Sequence, residues 1–435
     1  MSASLRLLAV TCVLSVLATP AFAANTINAA DTGWMIVATG IVLMMTIPGL
    51  ALFYAGMVRK KNILGTMAQA MAATALVSVL WIVAGYSLAF TGDHALIGTF
   101  DRFFLRGMEF EGVNPLAKNI PEALFAIYQM TFAVITVALV AGSVADRMRF
   151  SAFLVFAALW LFVVYVPIAH WVWGGGFLMS MGLLDFAGGT VVHINAGIAG
   201  LVAALVLRAR HGYGHDNLAP HDLSLAVIGT GLLWVGWFGF NGGSALGANS
   251  RAVYAITATH LAACMGALTW MTCEWYTRGK PSVLGIISGA VAGLGTITPA
   301  SGFVLPWHGM VIGLIAGAVC FYACTSFKMR CGYDDSLDVF GVHGVGGILG
   351  TFLCGVFATA AVSIGPDSPN GLPGLLEGNP QQLLIQVYGI IATIVWCGGA
   401  TWVVLKVVDV IAPLRVPKEH EIAGLDISLH GESLQ

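Results

Sequence analysis

Two histidines lie inside otherwise apolar segments of this 435-residue sequence: His193 in DFAGGTVVHINAG and His343 in DVFGVHGVGG. Keeping an ionisable side chain at membrane depth costs free energy, so such a residue indicates a functional site. A neutral imidazole donates from one ring nitrogen and accepts at the other, so two adjacent rings can share a hydrogen bond and relay a proton. The alternative is a pair of core histidines that are satisfied locally.

Each histidine follows an aspartate, Asp185 or Asp338, after a short stretch that contains glycine. This repetition indicates a duplicated element and favours a shared function for the two histidines. A metal site would need a third and a fourth ligand, and no Cys or Glu stands at helical spacing from either histidine. We therefore expect no metal and no cofactor, and we find no nucleophile that would favour a membrane-embedded enzyme.

The composition indicates a polytopic membrane protein. Hydrophobic residues make up 58% of the chain and charged residues only 9%, which excludes a soluble globular domain. The net charge is −2 and no run of basic residues occurs, so no nucleic-acid partner is expected. The sequence thus predicts an all-α protein whose surroundings are a lipid bilayer.

Residues 1–23 resemble a cleaved signal peptide, with Arg6, an apolar stretch and a small-residue cleavage site; an uncleaved first anchor is the alternative. The remaining chain predicts an eleven-span domain over 24–407 and a polar tail over 408–435. Segments apolar enough to cross a bilayer of about 30 Å are expected at 32–57, 63–91, 121–144, 151–170, 188–207, 223–247, 252–275, 282–298, 306–327, 338–362 and 382–407.

The distribution of basic residues predicts the orientation of these spans. With the N-terminus outside, fourteen Lys and Arg fall in inner loops and four in outer loops, and Arg6 completes the nineteen. This bias favours an outer N-terminus and an inner C-terminus. Eleven spans also suggest an inverted repeat, 32–207 and 223–362, followed by an eleventh span at 382–407. Because inverted repeats place their sites at the midplane, the two histidines are expected to meet there.

Seven ordered motifs carry a resemblance that covers essentially the whole mature chain: GLALFYAGMVRKKN, YQMTFAVITVALVAGSVADRMRFSAF, HWVWGGG, DFAGGTVVHINAG, GWFGFNGGSA, TPASG and DVFGVHGVGG. The sequence resembles the Amt/Rh ammonium transporter family, specifically its bacterial Amt branch. The resemblance implies a homotrimer with one pore per subunit. The predicted cleaved signal peptide and the short loops favour a bacterial inner membrane. The resemblance also implies transport of ammonium, with methylammonium use left open.

The resemblance implies a role for several residues. These are an outer recruitment site at Phe132, Trp173 and Ser244, a gate of two stacked phenyl rings at Phe132 and Phe240, a pore histidine pair at His193 and His343, and a structural carboxylate beneath the outer site at Asp185. Backbone N–H groups of Gly188–Thr190 could satisfy Asp185, and Asp338 is expected to play the mirrored part. Tyr128 stands where Phe is also common among relatives, and we expect its hydroxyl near the outer vestibule.

The resemblance further implies that the tail couples subunits and that a PII-type signal protein closes the pore from the cytoplasm; a disordered polar tail is the alternative. We expect no signalling domain after the tail. A second hypothesis for the function is an ammonium sensor with little flux that acts through its partner. Whether the proton crosses separately from ammonia, which would move net charge, or returns outside is left open by the residues.

Overall fold

The computed structural model describes residues 27–364 and 368–434. Within these residues the regular elements are helical, and β-structure is limited to isolated bridges. The predicted signal peptide lies outside the described residues. The all-α prediction is therefore confirmed for the described part of the chain.

Eleven helices account for most of the described chain. They are α1 Ala29–Met57, α2 Lys60–Phe90, α3 Glu122–Val144, α4 Phe150–Ser180, α5 Gly189–Leu207, α6 Leu223–Gly243, α7 Ser250–Arg278, α8 Val283–Ile297, α9 Pro306–Cys331, α10 Phe340–Phe357 and α11 Pro380–Ile411. Ten of these are long and apolar enough to cross a membrane, whereas α8 is apolar but shorter, with 15 residues.

Each expected span overlaps one of these helices, and the local backbone accounts for three of the differences between their ends. Helix α4 continues to Ser180 through a tight turn at its glycine triplet, ten residues beyond the expected end at 170. Helix α6 ends at Gly243 because the chain bends from Ser244 onward. Helix α10 begins at Phe340 because Asp338 has a φ of 59°, which a right-handed helix cannot contain.

Helix α3 lies at the centre of the molecule. Nearly all of its side chains are buried, and it packs against α1, α2 and α5. Helices α7, α8 and α9 form a second tightly packed group through small residues. A Cβ atom on Gly293 would lie 2.2 Å from the carbonyl oxygen of Ala262, so glycine is what permits this approach. Helix α11 packs outside, against α4, α5 and α10.

The tail folds back onto the face where the loops rich in basic residues lie. The Arg149 N–H donates to the Leu414 carbonyl at 2.9 Å, and the Asp426 carboxylate accepts from the Gly65 N–H at 2.8 Å near the start of α2. The Arg415 guanidinium also pairs with a carboxylate of the tail itself, at 2.6 Å. The tail is therefore docked and not a free polar extension.

An ion-pair network lies above the tail on the same face. Arg59 and Arg210 both contact Asp146, at 3.0 Å and 3.5 Å, and Arg210 also pairs with Asp334 at 2.7 Å. Burial alone would raise the pKa of Asp334, but the hydrogen bonds and charge of Arg210 outweigh burial and hold that pKa below its usual value. The network thus favours ionised Asp334 and connects four loops.

Candidate functional site

A cavity of about 180 Å³, named the outer cavity after the predicted orientation, opens between α3, α4 and the end of α6, on the face opposite the docked tail. Phe132, Trp173 and Ser244 all line it, so the structure brings together the three residues expected to form a recruitment site. The rings of Phe132 and Trp173 meet edge to face with centroids 5.6 Å apart. The cavity therefore combines two aromatic side chains with a hydroxyl group, which is a suitable lining for a small cation.

Ser244 offers acceptor capacity to this cavity. Its Oγ donates to the carbonyl oxygen of Phe240 at 2.9 Å, so its one proton is engaged within the protein. A hydroxyl whose proton is engaged keeps its lone pairs for an N–H donor. Ser244 is thus prepared to accept from a ligand.

Trp173 is held from two sides. Its Nε1–H donates to the Asp185 carbonyl at 2.8 Å. The next residue, Gly174, lies so close to the Ala89 carbonyl that a Cβ atom there would be 1.9 Å from the oxygen. The close approach requires glycine at that position and fixes where the Trp173 ring enters the cavity.

Gln129 is a member of the site that the sequence reasoning missed. Its side chain lines the outer cavity, and its buried Oε1 atom has no hydrogen-bond partner among the described residues. Because a buried amide oxygen without a partner is costly, this oxygen is a candidate acceptor for a ligand. The available signal was its position three residues before Phe132, which places both side chains on one helical face.

The two residues expected to form a gate are in contact, and one of them, Phe132, also lines the outer cavity. The rings of Phe132 and Phe240 are stacked, with centroids 4.2 Å apart and planes inclined by 28°. Both side chains are almost completely buried. At this separation the rings leave no room for a hydrated ion, so they separate the outer cavity from the space beneath.

His193 and His343 meet beneath the gate, where α5 and α10 cross. A Cβ atom on Gly197 would lie 2.2 Å from the Cα atom of Gly344, so glycine permits this close crossing. The two Nδ1 atoms are 3.2 Å apart, the ring planes differ by 12°, and both side chains are buried. A hydrogen bond between two Nδ1 atoms requires that one carries a proton and the other does not.

The histidine pair borders a narrow lumen that leads to a third space. A small cavity of about 10 Å³ is bounded by Phe240, Trp237 and both histidines, with Trp237 stacked on His193 at 5.6 Å between centroids. A further cavity of about 130 Å³ begins at His343 and is also lined by Asp338. The gate and the histidine pair thus lie between an outer and an inner cavity.

Asp185 lies at the start of α5, beneath the outer cavity. Its carboxylate accepts from the N–H groups of Gly188, Gly189 and Thr190 at 2.7, 2.6 and 2.7 Å, and it also accepts from the Thr190 hydroxyl. These are the backbone donors that the sequence suggests. Since its own carbonyl holds Trp173, Asp185 links the outer aromatic site to the helix that carries His193.

The mirrored role assigned to Asp338 is wrong, because Asp335 occupies the position equivalent to Asp185. Asp335 precedes His343 by eight residues, as Asp185 precedes His193, and its fully buried carboxylate accepts from the Phe340 N–H at 2.7 Å. Asp338 stands instead at the position of Gly188, with left-handed backbone. Its carboxylate pairs with the Lys328 ammonium at 2.7 Å.

The chain is similar to known ammonium transporters over most of its length. The sequence model described as Ammonium Transporter Family matches residues 33–434. An ammonium transporter from Aquifex aeolicus is 49% identical over 422 residues, which cover 97% of this chain and 97% of that protein. The crystal structure of Candida albicans Mep2 is 38% identical, has a TM-score of 0.85 and is matched over 91% of this chain and 88% of that chain.

A solved structure named Sensor Amt Protein is also similar. It is 28% identical, with a TM-score of 0.83, and the match covers 92% of this chain and 98% of that chain. The family match extends across the helices that line the three cavities and into the tail.

Proposed function

Because the chain belongs to the ammonium transporter family, we propose that it carries ammonium into the cell through the row of three cavities. The observation that supports this most strongly is their continuity. Phe132 lines the outer cavity and stacks on Phe240, Phe240 lines the lumen, and His343 lines both the lumen and the inner cavity. A solute that leaves the outer cavity therefore passes the gate and then the histidine pair.

The outer cavity binds the ammonium ion. The faces and edges of Phe132 and Trp173 contribute cation–π attraction of about 0.5–2 kcal/mol. Ser244 and Gln129 each present an oxygen acceptor to this cavity. An ammonium ion has four N–H donors for these oxygens whereas potassium has none, so the acceptors favour ammonium over potassium of similar size.

The stacked gate selects the neutral form. Moving an unpaired charge into an apolar space costs many kcal/mol, on the order of tens by idealised solvation. Ammonia avoids that cost, so ammonium loses its proton near Phe132 and Phe240, and ammonia continues into the lumen. The histidine nitrogens then supply hydrogen-bond partners to a solute that the apolar walls cannot satisfy.

Reprotonation follows on the inner side, in the cavity shared by His343 and Asp338. The proton reaches that side through the histidine pair or returns to the outside, and these routes differ in whether charge crosses the membrane. The Nδ1 contact of 3.2 Å is short enough to serve a relay. A measured current separates the two routes.

The same proposal includes the arrangement of the chain in the membrane. Residues 1–23 are removed as a signal peptide, α8 crosses with the other ten helices, and the C-terminus faces the cytoplasm of a bacterial inner membrane. The equivalent positions of Asp185 and Asp335 support an inverted repeat. We propose a homotrimer with one pore per subunit, regulated by the tail 408–435 and a PII-type signal protein.

A second candidate function is ammonium sensing with little flux. The similarity to the Sensor Amt Protein and the docked tail favour it. In that case the outer cavity would bind ammonium, and the tail would report its occupancy to a partner. The two functions share the outer site and differ in whether the gate passes solute.

Uptake by the purified protein in liposomes tests the proposal. Ammonium pulses should raise the internal pH or produce a current, and matched sodium and potassium pulses should do neither. Ser244→Ala should lower the apparent affinity for ammonium by several-fold. Saturable ammonium binding without either response would favour the sensor, and responses of equal size to all three cations would refute the selective outer site.

A further inference from the structure

The hydroxyl of Tyr128 does not face the outer cavity as the sequence suggests. The side chain is completely buried, and its hydroxyl oxygen lies 3.0 Å from the Gly239 carbonyl oxygen and 2.9 Å from that of Phe240. These two carbonyls belong to the last turn of α6. Tyr128 therefore reaches across from α3 and donates its proton to the end of the helix that carries a gate ring.

This hydrogen bond joins the two helices between which the gate is formed. Helix α3 carries Phe132, one turn after Tyr128, and the two rings meet edge to face with centroids 5.1 Å apart. Helix α6 carries Phe240. In the part of the chain that the structure describes, the Tyr128 hydroxyl makes the one side-chain hydrogen bond between α3 and α6.

The same contact affects Ser244. The Oγ of Ser244 donates to the Phe240 carbonyl at 2.9 Å and lies 3.4 Å from the Tyr128 hydroxyl oxygen. Hydrogen bonds between oxygens are usually no longer than 3.0 Å, so both hydroxyl protons belong to the carbonyls. The tyrosine thus fills the space beside Ser244 without donating to the Ser244 oxygen.

Gly243 provides the space for this arrangement. A Cβ atom at Gly243 would lie 2.6 Å from the Tyr128 hydroxyl oxygen and 2.9 Å from two of its ring carbons. A larger residue at that position would push the hydroxyl away from the carbonyls. The contact therefore depends on one residue from each helix.

We propose that Tyr128 is a positioning residue whose hydroxyl tethers the end of α6 to α3 and thereby sets the spacing of the gate rings and the placement of Ser244. This inference rests on the proposed transport function, and it concerns selectivity by size. With the tether in place, the ring centroids stay 4.2 Å apart. Without it, the end of α6 moves more freely, and a larger substrate such as methylammonium, which passes the gate as neutral methylamine, crosses more readily.

The test compares the rates of methylammonium and ammonium uptake in liposomes. Tyr128→Phe keeps the ring and removes the hydroxyl, and it should raise the ratio of methylammonium to ammonium uptake about fivefold, the factor that corresponds to one buried hydrogen bond. Gly243→Ala should raise the ratio in the same direction. The matched control is Tyr165→Phe, which removes the hydroxyl of an equally buried tyrosine that packs on Trp81, and it should leave the ratio unchanged.

Each outcome has a distinct meaning. Absence of selective ammonium uptake by the unmodified protein would refute the proposed function itself. Selective uptake by the unmodified protein together with an unchanged ratio in both variants would overturn the tether alone. If Tyr128→Phe does not yield a monodisperse protein, the ratio measured for Gly243→Ala decides.

Discussion

The turn that leads to His193 and the turn that leads to His343 share one plan and differ in their chemistry. In each, an aspartate stands eight residues before the histidine, a residue with positive φ follows three positions later, and a wide helical turn carries the histidine. The shared plan explains how two rings from separate helices meet in parallel. It also supports descent of the two turns from one duplicated element.

The carboxylates of the two turns are satisfied to different degrees. Asp185 accepts from three backbone N–H groups and a hydroxyl. Asp335 accepts from the Phe340 N–H, and its other oxygen has no partner among the described residues. The inner turn also carries Asp338, paired with Lys328. The outer turn thus satisfies its carboxylate fully and supports Trp173, whereas the inner turn adds charge to the cavity in which we propose that ammonia regains its proton.

Among the residues that support the two histidines, loss of the outer carboxylate should have the largest effect. Asp185→Asn keeps the shape but replaces an acceptor oxygen by an N–H donor that faces N–H groups. Hydrogen bonds to charged groups contribute about 1.5–3 kcal/mol each, so we expect ammonium uptake to fall by about a hundredfold. Asp335→Asn, which can still accept from one N–H, should lower uptake by less than about tenfold. Equal losses, measured as initial rates at matched protein density, would contradict the comparison.

Substitution of Gly188, the residue with positive φ in the outer turn, should produce the next largest effect. Gly188 has a φ of 117°, and a Cβ atom there would lie 2.5 Å from Cγ2 of Val192. Left-handed backbone also costs a non-glycine residue about 1–2 kcal/mol. Gly188→Ala should therefore lower the rate of ammonium uptake about tenfold and reduce the midpoint temperature of thermal unfolding. Asp338→Gly should fold normally, since glycine adopts the φ of 59° freely. A well-folded, fully active Gly188→Ala variant would show that the outer turn is not constrained.

Neutralising the inner charge should have a modest effect. Asp338→Asn retains the tolerance for left-handed backbone and loses the ion pair with Lys328. Partly exposed ion pairs contribute about 0.2–1 kcal/mol, so we expect inward uptake to fall about twofold while the affinity at the outer site is unchanged. The check is a kinetic comparison of maximal rate and half-saturation. A change confined to half-saturation would place Asp338 in recruitment and not in release.

The sequence predicted the spans and the histidine pair because both depend on strong local signals. Because an ionisable residue is rare in an apolar segment, His193 and His343 indicated a functional site. The approximate helix bounds followed from hydropathy, and the gate and outer-site residues followed from family motifs. Only the three-dimensional structure shows that these residues line one row of cavities.

The features that the sequence did not predict depend on backbone geometry. We predicted the mirrored role for Asp338 because it is the nearest aspartate before His343. The backbone of Asp338 has a positive φ, however, and the carboxylate that accepts from the first N–H group of α10 is that of Asp335. The direction of the Tyr128 hydroxyl depends on where α6 ends, which sequence periodicity does not determine. Gln129 is one of several polar residues in a mostly apolar helix, and a hydropathy average does not distinguish it from the others.

Acidification should have the smallest effect, on the inner face far from the gate. Arg210 lowers the pKa of Asp334, so the stabilisation that this ionised carboxylate provides is present at neutral pH and is lost as the pH falls through its folded-state pKa. We expect hydrogen exchange of the loops around Arg210 to increase in acid. The increase should be smaller in Asp334→Asn, which lacks the ionised pair already. An equal increase in both proteins would assign the effect to other carboxylates.

The central claim is that the solute passes the histidine pair, and simultaneous recording of current and internal pH tests it most directly. Liposomes that contain the unmodified protein, His193→Ala or His343→Ala would receive ammonium pulses, with sodium and potassium pulses as controls. Removing a proton-transfer group typically lowers a rate about a hundredfold or more, so we predict that each substitution abolishes the ammonium response or changes the ratio of current to pH rise. Unchanged current and unchanged pH response in both variants would contradict the account.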